Sequence, residues 1–300
     1  MPHASKSRLF LFSVLCFLGS SAAALPAAEP SPHSIKTHAD IEFAKPDGVA
    51  LLLDLHLPAD VKSPPLVLFI HGGGWRQGDR KKNKLDWLPA HGFAVASIEY
   101  RLSSEGVFPA QIHDCHTALR WLRAHADDYG YDASRIVVAG ASAGGHLAAL
   151  LGLGNGVAAL EGDADAAASA ASSRIVGVID YYGATDLIAR AVLQPRECEE
   201  ANGKVYRLLG GKVSENAALA RLASPISHVT PDDPPLLILH GELDQTVPIS
   251  QSELLRDRHR AAGLEARLYV KPGVGHGWTN SDAKERELVL TTLRRWLEKK

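Results

Sequence analysis

Cysteine is scarce in this sequence, with three in 300 residues. That excludes a scaffold held by several disulfides and any zinc site built from four cysteines. Excess charge is missing too. The 32 Lys and Arg nearly balance the 34 Asp and Glu, for a formal net charge of −2 and a pI near 6.7, so no electrostatic footprint for nucleic acid is present. Long hydrophobic runs are absent apart from Leu9–Leu18 at the N-terminus, and that run is about half the roughly 20 residues needed to span a bilayer. There is no internal repeat. With 46% hydrophobic and 22% charged residues, 26 Gly and 17 Pro, the composition is that of a globular protein and excludes disorder, collagen and coiled coil. The length suits one large domain or two small ones.

The N-terminal run reads as an address. Lys6 and Arg8 precede it, and Gly19, Ser20, Ser21 and Ala22-Ala23-Ala24 follow it. This is the basic, apolar, small-residue order of a secretory signal peptide, spanning residues 1–24. An N-terminal helix of the domain is the competing reading. Ser13-Val14-Leu15 before Cys16 lacks the small residue of a lipidation site, so no stable membrane anchor is expected and the mature protein is expected to be secreted or periplasmic. Cleavage would remove Lys6 and Arg8 and no acid, taking the net charge from −2 to −4. Cys115 and Cys198 would remain, free to pair in an oxidising compartment but too few for a framework. Residues 25–37, with Pro26, Pro30 and Pro32, read as an extended leader to a domain over 38–300.

That domain opens with β-type segments at Asp40–Phe43 and Val49–Leu57, joined around Pro46-Asp47-Gly48 as a hairpin. Short apolar runs follow at Leu66–Ile70, Phe93–Ile98, Ile136–Ala139, Ile175–Ile179, Leu236–Leu239 and Leu268–Val270. Continuous apolar runs of this length predict strands buried on both faces of a parallel sheet. Helices fall between them. Pro109 stands at an expected first helical position, ahead of Ile112, Cys115, Leu119 and Leu122 at helical spacing. A C-terminal helix puts Val289, Leu293, Trp296 and Leu297 on one face. Alternating strands and helices predict a three-layer α/β fold. Residues 154–174 read as a surface loop, and residues 186–230, which hold no strand, as a small lid-like insertion.

Gly140-Ala141-Ser142-Ala143-Gly144 lies between the strand at Ile136–Ala139 and an apolar helix over His146–Leu151. It has the G-x-S-x-G pattern of a nucleophile turned sharply off a strand end, where neighbours two residues away must be small. His71-Gly72-Gly73-Gly74-Trp75 follows another strand. Such a turn can aim backbone N–H groups, with that of Ala143, at a developing oxyanion. It is not a phosphate loop, because Trp75 and Arg76 stand where that motif needs other residues. A serine hydroxyl needs a base, and the base an orienter. Asp244 follows the strand Leu236–Leu239, and His276 sits between Gly275 and Gly277 after the strand at 268–270. Ser142, Asp244 and His276 therefore leave one edge of the sheet, in the order nucleophile, acid, base. The remaining candidates have plainer readings. His113 and His116 beside Asp114 lack a third metal ligand and read as helix surface or local hydrogen bonding. His240 and Glu242 read as loop-shaping, and Arg80-Lys81-Lys82 with Lys84 as a solvated face.

These motifs, with Glu99-Tyr100-Arg101-Leu102, Asp180–Asp186, His240–Pro248 and Gly273–Trp278, resemble the α/β-hydrolase esterase/lipase superfamily. The HGGGW and YRL elements resemble the hormone-sensitive-lipase-like esterases. The whole run is closer to the bacterial group named for bifunctional feruloyl and acetyl-xylan esterases, over about residues 40–300. One departure is Trp278, where a Phe is common. The resemblance implies an eight-stranded, mostly parallel sheet and a serine esterase without cofactor or metal. In it Ser142 would be the nucleophile, Asp244 the acid and His276 the base, with Gly73, Gly74 and Ala143 as oxyanion donors. The expected substrate is a small-molecule or carbohydrate ester with a short acyl or cinnamoyl group. Alternatives are an arylformamidase or small serine exopeptidase on the same fold, and a non-catalytic binding module.

Overall fold

The computed structural model describes Met1 and residues 32–162, 174–279 and 281–297. The signal-peptide and most of the leader segments lie outside these residues, as does residues 163–173 of the expected loop. Eight strands form one sheet: β1 (Ile35–Ala44), β2 (Leu51–Pro58), β3 (Pro65–Ile70), β4 (Ala94–Ile98), β5 (Asp132–Ala141), β6 (Gly177–Tyr181), β7 (Leu236–Gly241) and β8 (Ala266–Lys271). Their spatial order is β1-β2-β4-β3-β5-β6-β7-β8. The β1–β2 and β2–β4 pairs are antiparallel and the other five are parallel. The α/β fold with a mostly parallel eight-stranded sheet is therefore as expected.

Several boundaries differ from the sequence reading, and β5 begins four residues before its apolar run. β1 begins at Ile35, inside the expected leader, because the main chain of Ile35, Lys36 and Thr37 pairs with Pro58, Leu57 and His56. β6 begins at Gly177, two residues later than its apolar run. Pro109 is the residue before helix α1 rather than its first residue.

The helices are α1 (Ala110–Ala124), α2 (Ala126–Tyr129), α3 (Ala143–Leu153), α4 (Ala158–Glu161), α5 (Leu187–Leu193), α6 (Pro195–Glu199), α7 (Lys204–Leu209), α8 (Ala217–Leu222), α9 (Ser250–Ala261) and α10 (Ala283–Leu297). Side chains alternate across each strand, so the sheet feeds two cores. On one face Leu66, Leu68, Ile70, Ile136, Val138, Val178 and Ile238 pack with Ile112, Cys115, Leu119 and Leu122 of α1 and with α3. On the other, Val67, Phe69, Val137, Ala139, Ile179 and Leu237 pack with Leu288, Val289 and Leu293 of α10. All eleven residues of α3 are buried, which explains why that helix is apolar all round.

The segment expected to be lid-like holds α5 to α8. It is built into the domain, with Leu187, Cys198, Val205, Leu208 and Ala220 fully buried in the first core. Cys115 and Cys198 are both free and buried. The segment contains no strand, as expected.

Candidate active site

The parallel strands end at one edge, and the loops there carry the motif residues. Ser142 stands between β5 and α3 with φ 56° and ψ −116°, a sparsely populated region for a residue with a side chain. Two backbone hydrogen bonds hold it. Its N–H donates to Tyr181 O on β6 at 2.8 Å, and its carbonyl accepts from His146 N at 2.9 Å. The glycines two residues either side allow the close approach. A Cβ on Gly140 would lie 2.1 Å from Gly144 O, and one on Gly144 would lie 2.0 Å from Ile70 O.

His276, on the loop between β8 and α10, links the other two. Its Nδ1 lies 2.7 Å from Asp244 Oδ2 and its Nε2 lies 2.8 Å from Ser142 Oγ. With Nδ1–H donating to the carboxylate, Nε2 is left as the acceptor for the serine hydroxyl. Asp244 follows β7 and its side chain is fully buried, whereas that of His276 is 20% exposed. Asp244 Oδ1 accepts from the N–H groups of Thr246 and Val247 at 2.8 and 2.9 Å. Burial pushes its carboxyl pKa up. Hydrogen bonding from His240, His276 and the Val247 amide outweighs that and holds it well below the usual range. The acid is therefore a carboxylate across the neutral pH range.

His240 shapes this loop, as its sequence position suggests. It is buried, with Nε2 donating to Val247 O at 2.9 Å and Nδ1 2.6 Å from Ser252 Oγ. Glu242 has the same kind of role from the surface, accepting from Gly273 N at 2.8 Å. His113 Nε2 lies 3.1 Å from Ala159 O, far along the chain, and Asp114 binds Arg101 at 2.8 Å. His116 is buried with no hydrogen-bond partner for Nε2 among the described residues, contrary to the helix-surface reading.

Gly73, Gly74 and Ala143 line one cleft with Ser142 and His276. Gly73 has φ 126° and Gly74 φ 62°, and a Cβ on Gly73 would strike Gln77 O at 1.7 Å, so only glycine fits that turn. Its supports are aromatic. His71 stacks on Tyr100 at 4.4 Å, and Tyr100 Oη donates to His71 O at 3.1 Å. Trp75 Nε1 donates to His146 Nδ1 at 3.2 Å, and His146 Nε2 donates to Ala223 O at 2.6 Å. A relay of side chains thus joins the glycine turn, α3 and the end of α8. Trp278 and Trp75, beside the motifs in sequence, line the cleft. Tyr100 is 2% exposed and stands behind the turn.

The cleft has a volume of about 770 Å³ and is walled by Trp278, Tyr182, Val247, Arg190 and Lys204. Tyr182 meets His276 edge-on at 4.7 Å between ring centres and Trp278 at 4.6 Å.

In the basic run after the glycine turn Lys81 and Lys82 are exposed, as its composition suggests, but Arg80 and Lys84 are not. Arg80 is 6% exposed and pairs with Asp40, Asp54 and Glu99, joining β1, β2 and the end of β4. Lys84 donates to Trp278 O, and its Nζ lies 4.8 Å from the Trp278 ring centre and 5.4 Å from that of Tyr181. Burial, with Lys271 nearby, lowers its pKa to about 8. The partners of both residues come from distant parts of the chain, so a local charge count misses them. A further residue the sequence leaves unmarked is Glu285 on α10. Its carboxylate is fully buried, accepts from Trp278 Nε1 at 2.9 Å and pairs with Lys271 at 2.6 Å.

The chain is 33% identical over 238 residues to Esterase LipC of Mycobacterium tuberculosis, covering 77% of this chain and 58% of that protein. It spans less than two thirds of that relative's length. Among solved structures, a truncated carbohydrate esterase from gut microbiota matches with a TM-score of 0.76 and 28% identity, over 90% of this chain and 99% of that one. An esterase of the planctomycete Thermogutta terrifontis, with propionate bound, matches with a TM-score of 0.70 and 27% identity, over 90% of this chain and 97% of that one. The BD-FAE family model matches residues 53–258, a span that runs from β2 through the glycine turn, the Ser142 elbow and Asp244 into α9, and on that match the chain belongs to the BD-FAE family.

Proposed function

We propose that this chain is a serine carboxylic-ester hydrolase acting through an acyl-enzyme. The observation that carries the reading is the unbroken line Ser142 Oγ–His276 Nε2, His276 Nδ1–Asp244 Oδ2, at 2.8 and 2.7 Å. Ser142 Oγ attacks the ester carbonyl carbon as its proton passes to His276 Nε2. The carbonyl oxygen becomes an oxyanion, met by the N–H groups of Gly73, Gly74 and Ala143. His276 returns the proton to the leaving alcohol as the C–O bond breaks, leaving acyl-Ser142. Water then attacks the acyl carbon, giving a proton to His276, and the acid leaves as Ser142 recovers its hydrogen. Asp244 holds the imidazole tautomer and offsets its charge in both halves.

The substrates are short-acyl or cinnamoyl esters, of small alcohols or carbohydrate. An open cleft of about 770 Å³ walled by Tyr182 and Trp278 supports this, as aromatic faces suit a small acyl group, a cinnamoyl ring or a sugar. The names of the carbohydrate esterase from gut microbiota and the propionate-bound esterase support it too. The protein is exported, with residues 1–24 removed as a signal peptide. Among the described residues no helix is long and apolar enough to cross a membrane.

The test is hydrolysis of p-nitrophenyl acetate, methyl ferulate and acetylated xylan beside matched amides, with a fluorophosphonate label to report the nucleophile. Ser142→Ala is expected to lose both label and turnover, the latter by about 10⁴- to 10⁶-fold. Wild-type turnover in the folded variant overturns the assignment. For export, intact mass of the secreted protein is expected to give an N-terminus within a few residues of Leu25, and retained Met1 contradicts it.

A further inference from the structure

Six cationic side chains line the cleft around Ser142: Arg76, Lys81, Lys82, Lys84, Arg190 and Lys204. Among the described residues, Asp79 is the one carboxylate in its lining. The chain as a whole carries a slight negative charge, so this concentration is local to the site.

Most of these charges have no carboxylate in contact, although Glu197 and Asp244 lie near Arg190 and Glu285 near Lys84. Lys204 pairs with Glu197 at 3.3 Å. The other five have no carboxylate within salt-bridge distance among the described residues. Arg190 is the most telling. It is 2% exposed, yet its guanidinium is held by neutral groups, with Nε donating to Gln194 Oε1 at 2.9 Å and Nη2 to Thr246 O at 3.2 Å. A buried guanidinium cannot shed its charge, and leaving one without an anion is costly. The peptide it grips belongs to the catalytic loop, since Thr246 N donates to Asp244 Oδ1. On the other side, the stem of Lys204 lies over the glycine turn, with Cδ 2.7 Å from where a Cβ on Gly74 would stand. Lys84 enters beside Trp278 and the His276 loop. Cations therefore approach the reacting centre from α5, from α7 and from the loop after the glycine turn.

We propose that the cleft selects esters carrying a carboxylate close to the scissile bond, received by Arg190 with Lys84 and Lys204. The inference rests on the ester-hydrolase reading and deepens it. The carboxylate belongs either to the acyl group, as in a dicarboxylic acid half-ester, or to the alcohol, as in an acylated hydroxy or uronic acid. Its arrival supplies the contact anion that the buried guanidinium lacks, and the surrounding Arg76, Lys81 and Lys82 attract it from solution.

The experiment compares each anionic ester with its neutral isostere on the full chain. Methyl hydrogen succinate against methyl 4-methylpentanoate tests the acyl side, and acetoxyacetate against isobutyl acetate tests the alcohol side, by pH-stat. The expected result is kcat/KM about tenfold or more higher for the anion in one arm, a difference of about 1.4 kcal/mol. The ratio should fall as NaCl rises from about 20 mM to about 500 mM. Arg190→Gln is expected to bring it towards one, and Lys84→Gln gives the same reading if the Arg190 variant does not fold. A ratio at or below one in both arms, or one indifferent to salt and to both variants, overturns the proposal while the neutral esters are still hydrolysed. Loss of all ester turnover in the wild-type chain would instead overturn the reading beneath it.

Discussion

Asp244 spends both carboxylate oxygens on fixed partners: Oδ1 on the amides of Thr246 and Val247, Oδ2 on His276. An amide in its place would present an NH₂ to one of these donors. If the Asn oxygen stays on the two backbone amides, its NH₂ faces His276 Nδ1 and forces the proton onto Nε2, where it blocks the serine. Asp244→Asn is therefore expected to cut kcat by about 10⁴-fold with little change in fold. Glu242, two residues before it, is exposed and accepts from Gly273 N. Glu242→Gln keeps that acceptor and should remain within a few-fold of wild type. Parallel kinetics of the two variants check both statements, and a near-normal D244N enzyme would move the acid elsewhere.

The His276 loop is an element whose position depends on three residues outside it. Trp278 Nε1 donates to Glu285 on α10, Trp278 O accepts from Lys84, and Lys271 at the end of β8 pairs with Glu285. Glu285 is fully buried and Lys271 nearly so. Removing one partner of a buried pair typically costs about 3–5 kcal/mol. Lys271 also reaches Asp282 at 3.0 Å, and that carboxylate is half-exposed, so the lower end is expected for Glu285→Ala. The loop should loosen as well, lowering kcat more than it raises KM. Glu285→Gln retains an acceptor for the indole and should recover part of both. Urea unfolding and steady-state kinetics on the two variants test this, and equal behaviour of Ala and Gln would remove the anchoring role.

Across the whole molecule, buried ionisable groups make stability depend on pH. Burial lowers the pKa of His146 from 6.5 to about 4, against the Ala223 carbonyl. Burial, with Arg120, lowers that of His116 to about 3. The unfolded chain protonates these imidazoles near 6.5 while the folded chain does not, so it binds more protons and stability falls as pH drops from 6.5 towards 4. Asp180 runs the other way. Burial raises its pKa from 3.8 to about 6, so the folded state takes its proton first and gains stability as pH falls through that window. His71 and His259 are lowered by burial in the same direction, so the histidines outweigh Asp180 and stability is expected to fall as pH drops from about 6.5 towards 4. Urea midpoints at pH 7.5, 6 and 5 should therefore decline, and His116→Asn should flatten the slope. A flat profile in the wild-type chain would contradict the sign.

What the sequence alone determines here is local. Strands buried on both faces must be continuously apolar, so β3, β4, β5 and β7 stand out as short runs. A serine on a strand-to-helix elbow needs small neighbours, so Gly140 and Gly144 mark it. The order of Ser142, Asp244 and His276 at the ends of β5, β7 and β8 is legible for the same reason. The tertiary structure alone decided the rest. Arg80 and Lys84 read as surface charge until the chain brings Asp40, Asp54 and Glu99 to one and Trp278 to the other. Glu285 lies among ordinary helix charges until α10 packs beneath the His276 loop. The cap helices carry no period-two signal, and their burial follows from packing on the first core. For Arg80, Lys84 and α5 to α8 the deciding partner is far away in sequence, and a long-range contact leaves no mark on local composition or periodicity; Glu285 is seven residues from Trp278, but its burial depends on how α10 packs.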